Sequence, residues 1–184
     1  MILLGIIFSI VFLLIWVLIF FGLSRGISRQ GLGVISLGLM TSVFVLLCAL
    51  LLEVYWERIT GIRLKEYQTK VILAPVVEET MKLLFISILA WKIRTLSSKV
   101  LLFGAAVGLG FGLVETFLAV SNPVNVIFRD LFTVLMHIAA SVSSSFGVKK
   151  LFEKKSPICM IGFFLLAVAI HAGFNSTILS LGCG

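Results

Sequence analysis

Six apolar runs, Ile2 to Leu23, Leu32 to Leu52, Val71 to Trp91, Val100 to Val120, Asp130 to Val148 and Ile158 to Gly182, take up most of the chain. Each is close to the roughly 20 residues a helix needs to cross a hydrocarbon core about 30 Å thick. A sequence of 184 residues that is 60% hydrophobic and only 12% charged, with mean hydropathy +1.22, lies far outside the range of soluble domains. The fold class expected is all-α: a polytopic membrane bundle of about six transmembrane helices, multi-pass in the cell membrane with the lipid bilayer as its solvent. With no tag, linker or low-complexity segment, residues 1–184 read as one domain. Within it, 1–69 supply two support helices and an interfacial connector, and 70–184 a four-helix core. No internal repeat is visible.

The net charge of +7 does not point to nucleic acid, because the basic residues sit mainly in the short connections between runs, where they act as topology signals. Arg25, Arg29, Lys92, Arg94, Lys99, Lys149, Lys150, Lys154 and Lys155 fall on one side; Arg58, Arg63, Lys65, Lys70 and Arg129 fall on the other. The richer side is assigned to the cytoplasm, which places both termini outside. Glu53 to Lys70, with Tyr55, Trp56 and Tyr67, reads as an amphipathic connector at the interface. The first run lacks a basic leader and a small-residue cleavage site, so it is expected to be an anchor. Cys48, Cys159 and Cys183 have no metal-ligand or disulfide spacing and are expected to be small buried residues.

Against this apolar background Glu78, Glu79, Lys82, Glu115, His137 and His171 all fall inside runs. A charge at mid-bilayer costs about 2.5 to 3.5 kcal/mol even on lenient insertion scales, so such residues face a protein interior or a wet cavity and mark function. At about 1.5 Å rise per residue, Glu78 and His137 lie roughly 10 Å below the starts of runs three and five. On the same rise Glu115 and Asn175 lie roughly 8 to 10 Å before the ends of runs four and six. Alternating helix direction then brings all four helices' polar groups to one leaflet, the outer one in the orientation above. Residues four apart share a face, which aligns Glu78 with Lys82, Phe111 with Glu115, and His171 with Asn175. Thr133, His137, Ser141 and Ser144 or Ser145 form a fifth-run stripe. Gly104, Gly108 and Gly112 form a ridge that lets a neighbouring backbone approach closely. Pro75 removes a backbone donor and is expected to kink run three, freeing a carbonyl near Val71.

"EETMK" from Glu78, "FGLVE" from Phe111, the lone His137 and "HAGFN" from His171 resemble the EExxK, FxxxE, H and HxxxD/N series of the PrsW family. That family stands in a wider group of glutamate-type intramembrane endopeptidases that includes the CAAX prenyl endopeptidases and the CPBP superfamily. The resemblance spans roughly residues 70 to 180. Glu115 stands where the CAAX branch has His, as in PrsW-like sequences. Asn175 stands where PrsW-like sequences usually have Asp. The resemblance implies a hydrolase that cleaves a single-pass membrane protein, for instance an anti-sigma factor, without a cofactor.

The residue types suit that chemistry. Peptide hydrolysis needs a base for water, donors for the oxyanion and a proton for the leaving amine. The expected assignment has Glu78 activating water with Glu115 orienting it, while Glu79 tunes the site and Lys82 pairs with Glu78. His171 and Asn175 donate to the oxyanion, with His137 as a further donor or shuttle. Whether Glu78 or Glu79 is the base stays open. Three rivals also stay open: a zinc enzyme, since Glu and His ligate zinc although no HExxH is present; an ion-coupled transporter; and a non-catalytic scaffold resembling the Aph subunit of γ-secretase.

Overall fold

The computed structural model describes residues 28–93, 98–118 and 123–181, all of whose regular elements are helical. They are α1 (Arg29–Thr60), a short α2 (Glu66–Gln68), a π-helical turn (Thr69–Leu73), α3 (Ala74–Ile93), α4 (Ser98–Leu118), α5 (Pro123–Lys154) and α6 (Pro157–Ser180). Arg29–Trp56, Lys99–Leu118, Leu131–Lys154 and Pro157–Ser180 are long and apolar enough to cross a membrane. The protein is a membrane protein built of such helices. The first expected run, both termini, Arg25, Arg94 and Cys183 lie outside the described residues, as does the side chain of Arg129.

Helix ends follow local chemistry. α1 stops at Gly61, whose φ of 70° is the left-handed conformation that glycine adopts at helix C-termini without steric cost. The reversal between α5 and α6 needs only Lys155 and Ser156. Lys155 takes a positive φ of 49°, and the Ser156 hydroxyl caps α6 by accepting from the Cys159 N–H at 3.4 Å, with Pro157 in the first helical turn. Two-residue connections force antiparallel neighbours, and α6 packs along α5.

α4 and α5 form the centre. Their spans are 56% and 61% buried, against 33% for α1 and 11% for α6, which present their outer faces to lipid. The glycine ridge explains the central contact. A Cβ on Gly104 would meet Ser145 and the Ser141 carbonyl, one on Gly108 the His137 carbonyl, and one on Gly112 the Val134 Cα. Only hydrogen lets α4 approach α5 this closely. An apolar cluster of Val45, Ile86, Val100, Phe103, Val107 and Phe111 seals the core on one side of the polar groups.

Three expectations change here. The first part of the expected connector, Glu53 to Thr60, is not separate from the preceding helix: it continues α1 by two turns, because its apolar and amphipathic residues keep helical spacing up to Gly61. Cys48 is only partly buried and Cys159 is exposed; both are free thiols on helices with lipid-facing surfaces. Pro75 is absorbed by the π turn ahead of it, where the Ala74 N–H reaches five residues back to the Thr69 carbonyl. In that register the acceptor left without a partner by Pro75 is Lys70, one residue before the position expected. Asn175 Nδ2 donates to that carbonyl at 2.8 Å.

Candidate functional site

The four central helices bring their ionisable side chains together in two layers. In the inner layer Lys82, fully buried, donates to Glu79 Oε1 at 2.7 Å and lies 2.7 Å from His137 Nδ1. Its ammonium also sits 4.0 Å from the Phe111 ring centroid, a cation–π contact in a desolvated setting. His171 Nδ1 is 3.0 Å from the same Glu79 oxygen, and the two imidazoles meet edge to face with centroids 4.8 Å apart. Glu79, Lys82, His137 and His171 are all shielded from solvent. A buried charge is tolerated only when paired and hydrogen-bonded, and these groups pair with one another. Within the Glu79 carboxylate, Oε2 alone is left without a hydrogen-bond partner among the described residues.

Spacing alone made Glu78 the partner of Lys82. That ion pair is present at 3.7 Å to Glu78 Oε2, but the hydrogen bond, at 2.7 Å, goes to Glu79. Both i+3 and i+4 neighbours are within reach on a helix; His137 and His171, arriving from α5 and α6, fix Glu79 as the inner acid.

The outer layer lines a cavity of about 250 Å³ bounded by Glu53, Lys70, Glu78, Glu115, Thr133 and Asn175, with apolar walls that include Leu46, Leu50 and Phe174. Glu115 is tied to the inner layer by a hydrogen bond between its Oε2 and His137 Nε2. His137 thus spans both layers, with Nδ1 towards Lys82 and Nε2 towards Glu115. Glu78 Oε2 is buried and has no hydrogen-bond partner among the described residues, and it lies 3.8 Å from His171 Nδ1. Water or a polar ligand in the cavity is the natural partner for such an oxygen.

The residues expected from sequence therefore occupy one region. Glu78, Glu115 and Asn175 reach the cavity; Glu79, Lys82, His137 and His171 stand behind it, with Phe111 packed on Lys82 and His137. The α5 serines lie away from the cavity, and Ser145 bonds back to the Ser141 carbonyl at 2.8 Å within its own helix. Glu53 was missed. Its signal was its spacing from Leu46 and Leu50, which puts all three on one face of α1.

Glu78, Glu79, His137 and His171 each offer a ligand atom within 4.8 Å of the others, a set of the kind that binds a transition metal. A family model described as PrsW family intramembrane metalloprotease matches residues 29–183. No curated protein and no solved structure matches the chain.

Proposed function

The chain belongs to the PrsW family of intramembrane proteases, and from that premise we propose that it hydrolyses its substrate with a water activated by Glu78, without a metal. The observation that carries this reading is the division of labour between the two glutamates. Glu79 is held from behind by Lys82 and His171, both on its Oε1, and its other oxygen does not reach the cavity. Glu78 presents a buried oxygen, without a hydrogen-bond partner among the described residues, at the cavity itself, where water has room.

In this reading a cavity water gives its proton to Glu78 as its oxygen attacks the scissile carbonyl carbon. Glu115, fixed by His137, accepts the water's second hydrogen and orients it. Asn175 keeps one N–H after donating the other to the Lys70 carbonyl, and that N–H is assigned to the developing oxyanion. When the C–N bond breaks, Glu78 returns its proton to the leaving amine. His171, paired with Asn175 as a donor on sequence grounds, holds the two glutamates in register from behind.

The family description includes a metal, and the fit can be tested on the donor set. The four residues are right in kind, but with Lys82 in place they do not fit a metal ion. A second cation would lie against the buried ammonium, which already engages Glu79 Oε1 and the Nδ1 of His137, while Nε2 of His137 serves Glu115. Lys82 supplies the positive charge that the cluster requires.

The substrate proposed is a single-pass membrane protein, with an anti-sigma factor as one instance. The experiment is cleavage of single-pass peptides by the purified protein in proteoliposomes, with metal content measured on the same sample. Cleavage that survives chelators in protein with no bound metal is the expected result. One zinc per chain, with cleavage abolished by its removal, would overturn the metal-free reading.

A further inference from the structure

α1 carries none of the four motifs, yet Glu53 lines the same cavity as Glu78 and Glu115. Its Oε1 is buried with no hydrogen-bond partner among the described residues, as is Oε2 of Glu78, which is 8% exposed as a residue. Two walls of one cavity, α1 and α3, thus each present a carboxylate oxygen without a donor. The surrounding cations are engaged: Lys82 hydrogen-bonds Glu79, lies against His137 and stands 3.7 Å from Glu78 Oε2, and Lys70 pairs with Glu66 at 3.0 Å. Three carboxylates, Glu53, Glu78 and Glu115, share this cavity with cations that are already engaged, so it favours a further cation and repels an anion. Leu46, Leu50, Phe174 and Ile178 line its apolar part, a surface suited to the methylene stem of a long basic side chain whose charged head reaches the acids.

We propose that this cavity receives a Lys or Arg side chain of the membrane substrate beside the scissile bond, with Glu53 as the residue that selects it. The inference rests on the protease reading and names the substrate class for it. Glu53 binds the basic head and leaves Glu78 free for water. An acidic side chain at the same position is turned away by three carboxylates.

The test uses the full protein in proteoliposomes with single-pass peptides that differ only in carrying lysine, leucine or glutamate. That residue is moved in turn across the interfacial end of the peptide. For the wild type, kcat/KM for the best lysine peptide is expected to exceed that for its leucine counterpart about tenfold, the scale of one charge-assisted hydrogen bond, with glutamate slowest. Glu53→Gln is expected to bring the lysine-to-leucine ratio to about one by removing that bond, and Glu53→Lys to put the glutamate peptide first. A merely structural role for Glu53 would lower all three rates together and leave their ratios alone. Lysine preference that persists in Glu53→Gln, or a wild type that cuts the three peptides equally, overturns the inference and leaves the protease reading standing. Failure of the wild type to cut any peptide overturns both.

Discussion

The inner and outer layers of the polar cluster contain the same kinds of side chain and differ in what they face: the inner one faces other helices, the outer one the cavity. Behind the cavity, Lys82 joins Glu79 and His137, and His171 joins Glu79, in full burial. At the cavity, Glu53 Oε1 and Glu78 Oε2 have no hydrogen-bond partner among the described residues; Glu79 Oε2 has none either, but it lies behind the cavity. Bonds between helices hold the bundle together; unpaired oxygens at the cavity are available to water and substrate. Loss of an inner-layer group is therefore expected to register first as lost stability, and loss of a cavity group as lost turnover.

The sharpest challenge to that contrast is Lys82→Met. Removing one partner of a buried ion pair typically costs about 3 to 5 kcal/mol, and here it strands Glu79. A large fall in Tm in detergent, seen before any activity is measured, is the expected outcome; an unchanged Tm would mean that the inner layer does not carry the bundle.

Asn175→Ala tests a group with a foot in each layer. Loss of an oxyanion donor commonly lowers turnover about 10²- to 10³-fold. The same change frees the Lys70 carbonyl, so amide exchange in Thr69–Leu73 is expected to accelerate. A fast-exchanging π turn with intact turnover would make Asn175 purely structural.

Gly108→Ala probes the scaffold under both layers. The added methyl meets the His137 carbonyl, and such overpacking costs about 1 to 3 kcal/mol. Tm and turnover are expected to fall together, because His137 spans both layers. Smallest is Glu66→Gln. The Glu66–Lys70 pair is 81% and 45% exposed, and exposed pairs contribute at most about 1 kcal/mol. A Tm shift within a degree or two is expected, and a large one would show that charge outside the cluster matters as much as charge within it.

Much of this site was legible because helix direction and rise are fixed by geometry. Counting residues from the ends of runs put Glu78, Glu115, His137 and Asn175 at one depth, and three of them line the cavity with His137 bonded to Glu115. That Lys82 bonds Glu79 more closely than Glu78 was not legible, since both lie within reach on α3 and the preference comes with α5 and α6. Nor was the freed carbonyl at Lys70, because a π turn shifts the register by one residue and nothing in Thr69–Leu73 announces it. Glu53 was hidden for a different reason. The apolar run ends at Leu52, so a boundary drawn by hydropathy cut the helix short of the cavity-facing Glu53, although the spacing of Leu46, Leu50 and Glu53 continued unbroken.

The most direct test of the account compares Glu78→Gln with Glu79→Gln in one preparation, reading Tm in detergent and peptide cleavage in proteoliposomes. Glu78→Gln should keep a near-native Tm while cleavage drops by about 10²- to 10⁴-fold, the usual contribution of a general base, and Glu79→Gln should lower Tm sharply. A Glu78→Gln protein that cuts at the wild-type rate, or a Glu79→Gln protein as stable as the parent and the only one of the two to lose cleavage, would contradict it.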